Sequence, residues 1–288
     1  MPSLGDLVFP RFPLFCGKFE IVLFFLPVSC YNIGAARYCR KASTPSPEGF
    51  FGRKIGMTET IHRRKPVYPF APGLGFYKIF WVFFLGCIIG VVVETFWCLI
   101  TKFYIENRSG VIYGPFNPVY GFGAVVLTLG LHWLSQKRDL WIFLGSMVLG
   151  GAVEYVCSWV QEMAFGTVSW EYSETPFNLQ GRTNLMFAFF WGILGLLWVK
   201  DFYPRMSGWI ERIPRRVGIP LTWVLLVLMI FNMAISGLAV ARWTARVHGK
   251  PATNQLEVFL DQAYPNDYLS RVYPNMMVVT DENGNRVI

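Results

Sequence analysis

The sequence predicts an all-α fold, a polytopic membrane helix bundle of about five spans with a parallel internal duplication of a two-helix unit. Composition supports the membrane assignment, because hydrophobic residues make up 53% of the 288-residue chain and charged residues only 15%. Soluble domains typically carry about 25% charged residues. An internal repeat supports the duplication, and clustered basic residues indicate the orientation.

A helix needs about 20 consecutive apolar residues to cross the hydrocarbon core of a bilayer. Five apolar runs approach that length, at residues 77–100, 113–134, 141–164, 184–200 and 219–241. The fourth run is the shortest, and the basic stretch after it, residues 201–218, contains Pro204 and Pro214. Because proline limits a helix, we expect this stretch to be a connection that lies along the cytoplasmic interface.

Four regions follow from these runs. Residues 1–56 form an N-terminal extension, which is either disordered or a misassigned start, since a start at Met57 would precede the first span directly. Residues 57–76 are a cytoplasmic lead-in, residues 77–246 the duplicated bundle, and residues 247–288 a polar tail. The tail pattern predicts one short amphipathic helix followed by extended structure.

The repeat consists of a glutamate inside an apolar run and a later Pro-Phe-Asn tripeptide. Glu94 precedes Asn117 in the first copy, and Glu154 precedes Asn178 in the second. The copies are offset by about sixty residues, which is the length of one helical hairpin. Because each copy contains an even number of spans, both enter the membrane in the same direction.

The two glutamates are the candidate functional residues. An ionised carboxylate at the bilayer centre costs about 2.5–3.5 kcal/mol on insertion scales, so each requires compensation. Arg108 and Arg182 are the expected partners, one in each copy. A structural ion pair that holds the repeat interface is one hypothesis. The other is a shared ligand, ion or proton site, and the sequence leaves both open.

Further polar residues complete the candidate site. Asn117 and Asn178 follow prolines, where a carboxamide suits either a turn or an oriented ligand contact. The outer rim would be lined by Tyr113, Tyr120, Tyr172 and Asn184. Asn232 and Ser236, one turn apart on the last run, are interpreted as helix-packing contacts.

Several function classes are disfavoured. No cofactor and no metal are expected, because the histidines and cysteines show no zinc-ligand spacing. The chain has no P-loop, so an ATP-driven role requires a separate ATPase. The formal charge of +8 is clustered beside the apolar runs, which indicates membrane orientation instead of nucleic-acid binding. An enzyme that uses the paired carboxylates alone is the least favoured alternative.

Two long motifs carry a family resemblance. The stretch from Gly86 to about Arg246 contains Ser109-Gly-Val-Ile-Tyr-Gly-Pro-Phe-Asn-Pro-Val-Tyr-Gly-Phe-Gly123 and Trp170-x-Tyr-Ser-x-x-Pro-Phe-Asn178. It resembles the ABC-transporter type IV, or CmpB-like, family of bacterial membrane proteins. The resemblance implies a permease component, and it carries over no site residue.

The leading function is therefore a permease-like component of the bacterial inner membrane, with an outward-facing polar cavity around Glu94 and Glu154. The main alternative is a structural or regulatory membrane subunit that binds a partner or lipid through the basic connection. The expected partners are membrane lipid and a separate ATPase or other membrane subunit, and no nucleic acid.

Basic residues predict the topology, since cytoplasmic loops carry an excess of lysine and arginine. Three clusters should be cytoplasmic, together with the N-terminus: Arg63-Arg64-Lys65, Lys137-Arg138 and Arg215-Arg216. Both Pro-Phe-Asn motifs and the tail should then be outside. Arg242, Arg246 and Lys250 conflict with this orientation, because they follow the last span.

Cysteine labelling in intact cells tests this topology. Asn107→Cys and Glu174→Cys should react with an impermeant thiol reagent, whereas Arg212→Cys should react only after the membrane is opened. The unsubstituted chain, with its six native cysteines, supplies the background signal. The reverse pattern would contradict the orientation, and a protected cysteine in the tail would contradict an odd number of spans.

Overall fold

The computed structural model describes residues 69–281, except for the side chains of residues 101 and 102. The N-terminal extension, the start at Met57 and most of the lead-in lie outside these residues. The described part is mostly helical, and its α-helices are α1 Phe76–Lys102, α2 Pro118–Gly130, α3 Asp139–Phe165, α4 Leu185–Leu197, α5 Tyr203–Glu211, α6 Arg215–Val247, α7 Gln255–Ala263 and α8 Asn266–Val272.

Two small antiparallel strand pairs join the connecting segments. Strand β1, Thr167–Val168, pairs with β4, Met277–Val278, and so links the segment after α3 to the tail. Strand β2, Asn178–Leu179, pairs with β3, Thr183–Asn184, just before α4. The fold is thus a helical bundle in which short strands only fasten loops.

Four helical segments of the described residues are long and apolar enough to cross a membrane: Phe76–Ile100, Asp139–Phe165, Leu185–Glu211 and Arg215–Val247. The second predicted run forms α2, which has only 13 residues. Its length is about 20 Å at 1.5 Å per residue, against roughly 30 Å of hydrocarbon. The chain is a multi-pass helical membrane protein, and the fifth span stays a prediction.

The fourth predicted run is longer than expected. A π-helical turn, Trp198–Phe202, joins α4 to α5, so the helix continues through most of the expected interfacial connection. Only residues 212–214 then separate it from α6. Pro204 lies in the first turn of α5, and the wider π turn before it accommodates a ring that would clash inside a regular helix.

The first four helices of the bundle pack in chain order. Helix α1 packs on α2, α2 on α3 and α3 on α4, while α6 contacts both α1 and α3. Two glycines allow close approaches, because a methyl group on Gly90 would overlap the Tyr120 ring and one on Gly150 would overlap the Trp191 ring. Small residues are the usual means by which membrane helices pack closely.

Polar contacts fasten the end of the bundle where α1 begins. Lys78 is fully buried, forms an ion pair with Glu211 at 2.6 Å and donates a hydrogen bond to the Ser207 carbonyl oxygen at 3.3 Å. The Trp81 indole N–H donates to the Thr222 hydroxyl at 2.9 Å. These contacts join α1 to both α5 and α6 at the end that the basic clusters predict to be cytoplasmic.

The tail folds against the opposite end of the bundle. It forms α7, α8 and β4, one helix more than the sequence predicts. Its buried side chains Leu260, Leu269 and Tyr273 belong to an apolar cluster with Ala239 and Val240 of α6. The sequence did not predict the second helix, α8, because this helix packs on α6, which is distant from it in the sequence.

The tail also supplies an ion-pair partner for two of the cations that conflicted with the predicted orientation. Arg242 donates to both Asp261 carboxylate oxygens, at 2.9 and 2.8 Å, and Arg246 contacts the same carboxylate at 2.5 Å. The hydrogen bonds from Arg242, and then from Arg246, lower the pKa of Asp261 to about 2. Asp261 is therefore ionised at neutral pH, and the two arginines have a folded partner at this end.

We expect Gly90→Ala to lower the free energy of unfolding by about 1–3 kcal/mol, the range for overpacking a close interface. Gly208→Ala is the matched control, because Gly208 is also helical and has open space where a Cβ would lie. Alanine gains helix propensity there and should be neutral or stabilising. Thermal unfolding in detergent compares the two, and equal melting temperatures would contradict the close packing of α1 on α2.

Candidate functional site

The first glutamate has an ion pair and a hydrogen bond. Glu94 Oε1 on α1 lies 3.4 Å from Arg108 Nη1, and the Tyr120 hydroxyl on α2 donates to Glu94 Oε2. Arg108 also contacts the Glu106 carboxylate and donates to Cys98 Sγ at 2.8 Å. Glu94 and Arg108 are 8% and 6% exposed. The structure therefore brings Glu94, Arg108 and Tyr120 together, with the ion pair nearly buried.

The second glutamate receives hydrogen bonds from two hydroxyl groups. Glu154 on α3 is fully buried, with the Tyr172 hydroxyl donating to Oε1 at 3.3 Å and the Thr183 hydroxyl donating to Oε2 at 2.9 Å. Arg182 forms an ion pair with Glu162 at 2.9 Å, about two turns further along α3. Thr183 was not among the residues predicted from the sequence, because its role depends on the fold of the second loop.

The two copies belong to one electrostatic cluster. Burial raises the pKa of Tyr172, and the negative charges of Glu154 and then Glu94 raise it further. The Tyr172 hydroxyl therefore keeps its proton at neutral pH and acts as a donor. The charge of Glu94 in the first copy therefore acts on a tyrosine of the second copy.

Both connecting loops fold back to the depth of the carboxylates. Glu94 lies about two turns before the end of α1, and Glu154 about three turns before the end of α3. Two of their hydroxyl partners nevertheless come from the start of the following helix, at Tyr120, or from the residue before its N-cap, at Thr183. Irregular backbone at membrane depth requires partners within the protein or in a water-filled cavity.

Two asparagines cap the helices that begin at this depth. Asn117 Oδ1 accepts from the Val119 N–H at 3.1 Å, while Asn117 Nδ2 donates to the Arg108 carbonyl oxygen at 3.1 Å. Asn184 Oδ1 accepts from the Phe187 N–H at 2.8 Å. Each side chain satisfies a backbone N–H that the first turn of a helix leaves without a partner.

The second Pro-Phe-Asn motif has a different structural role from the first. Asn178 Nδ2 donates to the Thr175 carbonyl oxygen at 2.7 Å, and Asn178 Oδ1 accepts from the Gly181 N–H at 3.0 Å. It closes a turn in the second loop, and α4 begins only after Asn184. Identical tripeptides therefore act as a helix cap in one copy and as a turn in the other.

Two residues of α6 hold the first loop in place. Asn232 accepts from the Tyr113 N–H at 3.1 Å and donates to the Tyr113 carbonyl oxygen at 2.7 Å. Ser236 Oγ accepts from the Ile112 N–H at 2.9 Å. The Tyr113 hydroxyl lies 2.6 Å from the Tyr264 hydroxyl of the tail. The predicted helix-packing role of this pair is wrong, because the loop backbone takes the place of a second helix.

The site offers carboxylates, guanidinium groups and hydroxyls at close range. Such groups bind and release protons or hold charged ligands. Among residues 69–281, no three histidine, cysteine, aspartate or glutamate side chains come together in a way that could hold a metal ion.

Spanning helices with buried charges near one end of the bundle are the features of a membrane transporter-like protein. Residues 81–237 match the family described as "Putative ABC-transporter type IV". This match covers more than half of the chain, so the chain belongs to that family, and the resemblance noted from its motifs is confirmed. The family suggests association with other transporter subunits. No curated protein and no solved structure matches the chain.

We expect Asn232→Leu to release the first loop, because it keeps the side-chain size and removes both hydrogen bonds to Tyr113. Each buried backbone group left without a partner costs about 1–3 kcal/mol. Hydrogen exchange in residues 103–117 should become faster and the melting temperature should fall. Phe231→Leu, on the exposed face of the same helix, should change neither. Unchanged exchange in Asn232→Leu would show that the loop is held by other contacts.

Proposed function

We propose that this chain is a permease-like component of the bacterial inner membrane, with an outward-facing polar site around Glu94 and Glu154. The observation that carries the proposal is that both carboxylates, Glu94 on α1 and Glu154 on α3, accept hydrogen bonds from residues at the ends of loops that fold back to their depth. Ionisable side chains inside membrane proteins mark substrate or ion pathways. Irregular backbone at that depth is typical of sites that line such pathways.

The same proposal includes a parallel duplication. Support comes from the packing of Gly90 on Tyr120 and of Gly150 on Trp191, since each glycine lies one turn before the glutamate of its copy. Each glutamate also accepts a hydrogen bond from a tyrosine hydroxyl. Transport sites commonly lie where such repeats meet.

The proposed orientation places the N-terminus inside and both connecting loops and the tail outside. The hydrogen-bonding distance between the Tyr113 and Tyr264 hydroxyls supports a common side for the first loop and the tail. With α2 counted as a fifth span, the tail follows an odd number of crossings. A separate ATPase would supply energy at the basic, inner end, because this chain contains no P-loop.

A structural or regulatory membrane subunit is the second candidate. The ion pairs Glu94–Arg108 and Glu162–Arg182 favour it, since both are nearly buried and could serve only to hold the helices together. The two candidates differ in whether water reaches the site, because a transport pathway has to open to the solvent.

Thr183→Cys tests for such a pathway, because Thr183 is buried and contacts Glu154. In intact cells a small impermeant thiol reagent should modify it, since a permease opens its site to the outside for part of the time. Ser146→Cys is the matched control and should stay unmodified. Ser146 is buried on the same face of α3 as Glu154, and it packs against Gly195. Glu174→Cys supplies the reaction of an exposed position.

Protection of Thr183→Cys under every condition, with full reaction of Glu174→Cys, would contradict the permease proposal and favour the structural subunit. Purification from native membranes adds a second measurement. A permease component should retain an ATPase subunit that carries the P-loop sequence, whereas a complex with only other membrane proteins would favour the alternative.

A further inference from the structure

The two copies of the repeat are covered differently where α1 and α3 begin. The two glutamates of the repeat are 60 residues apart, and the same offset pairs Lys78 with Arg138 and Trp81 with Trp141. Each copy therefore carries a cation, followed three residues later by a tryptophan, at the start of a helix long enough to span the membrane. The surroundings of these equivalent residues can be compared directly.

In the first copy, other helices of the same chain cover this surface. The Lys78 ammonium forms its ion pair with Glu211 of α5, and the Trp81 indole N–H donates to the Thr222 hydroxyl of α6. Phe80, beside Trp81, belongs to an apolar cluster that includes side chains of both helices. As a result, Lys78, Phe80 and Trp81 are only 0%, 5% and 8% exposed.

In the second copy, the equivalent surface of α3 is exposed. Trp141 is 57% exposed, and Leu140, the equivalent of Phe80, is 62% exposed. Leu144 and Val148 are exposed as well, and they continue the same stripe because side chains three or four residues apart share one side of a helix. We define the open face of α3 as these four side chains: Leu140, Trp141, Leu144 and Val148.

The order of the helices explains why the second copy is left open. The second copy is followed by α5 and α6, which fold back over the start of α1. The first copy is followed only by residues 131–138, which are too few to fold back over α3. Helix α6 does reach α3, but at the far end, where the Thr244 hydroxyl donates to the Phe165 carbonyl oxygen at 2.7 Å.

A cation lies at the edge of the open face. Arg138, the equivalent of the buried Lys78, is exposed. The carboxylate of the neighbouring Asp139 pairs with Lys200 at 2.7 Å. The edge of the open face is therefore complementary to a carboxylate of a partner, which is the role that Glu211 has toward Lys78 in the first copy.

We propose that the open face of α3 binds a membrane helix of another transporter subunit, which presents a carboxylate to Arg138 and a hydrogen-bond acceptor to the Trp141 indole N–H. This partner takes the place on the second copy that α5 and α6 have on the first. The inference deepens the proposed function by locating a contact between subunits. It rests on the proposed duplication for the equivalence of the two surfaces.

The polar groups favour a protein partner over lipid. Lipid tails cover apolar side chains equally well, so exposure alone identifies no partner. In the first copy, however, the equivalent cation and indole are both bound by protein side chains, Glu211 and Thr222. Polar groups that become buried between helices need such partners, and hydrogen bonds between helices are a usual means of association in membranes.

Photo-cross-linking in native membranes tests the open face. A photoreactive amino acid in place of Leu144 should form an adduct with a peptide of a different membrane protein. That peptide should belong to a membrane helix with an aspartate or glutamate near the end that lies beside Arg138. The matched control is the same amino acid in place of Val227, which is exposed on α6 and should form adducts with lipid only.

Several outcomes would overturn the proposal. Adducts with lipid alone at position 144 would show that the open face is a lipid surface. A peptide of this same chain would show that a second copy or residues 1–68 cover it. A partner without a membrane span, or a partner helix without an acidic residue at the expected end, would contradict the assigned chemistry.

Removal of the cation supplies an independent measurement. Arg138→Gln should lower the yield of the adduct at position 144 by at least about tenfold, since the loss of one member of a desolvated charge pair weakens binding strongly. Arg216→Gln, at an exposed position in the first turn of α6, should leave the yield unchanged. Because both arginines are exposed, both variants should fold. An equal yield in the two variants would overturn the proposal.

The cross-linking result is separate from the labelling of Thr183→Cys. The expected adduct in a protein whose Thr183→Cys site stays protected would support the docking surface and contradict only the permease function. A reactive Thr183→Cys site together with lipid adducts alone at position 144 would contradict only the docking surface.

Discussion

Backbone that leaves the helices at membrane depth has to find all of its hydrogen-bond partners inside the protein or in enclosed water. Much of the polar chemistry of this bundle follows from that requirement. The first loop turns back beside α6, where Asn232 pairs with both polar backbone groups of Tyr113. The second loop turns back beside α3, where the Asn178 side chain replaces the missing backbone partners of a turn. Asparagine recurs because its carboxamide both donates and accepts.

The same requirement explains why two similar sequence copies give different chemistry. In the first copy the Pro-Phe-Asn motif leads directly into α2, so its loop is short and Arg108 is held against Glu94. In the second copy a strand pair separates the motif from α4, and that extra length brings Thr183 to Glu154. The loops thus decide which of their side chains reach each buried glutamate.

The parts of the fold that depend on local properties could be predicted from the sequence. Length and hydropathy located α1, α3 and α6 within a few residues, and the repeated glutamates were identified as buried polar sites. The continuation of α4 through Pro204 was missed, because a π turn depends on packing that hydropathy does not report. The partners of Asn232 and Arg242 lie in loop and tail segments distant in sequence, and no local pattern identifies such pairs.

Helices α2 and α4 begin at the depth of the carboxylates, which bears on the electrostatics around Glu94 and Glu154. Tyr120 lies in the first turn of α2, and Thr183 immediately precedes the cap of α4. Each helix N-terminus carries a partial positive charge of about one half, so both helix ends favour an ionised carboxylate nearby. The helices that begin beside the two loops and the buried glutamates are therefore two parts of one electrostatic arrangement.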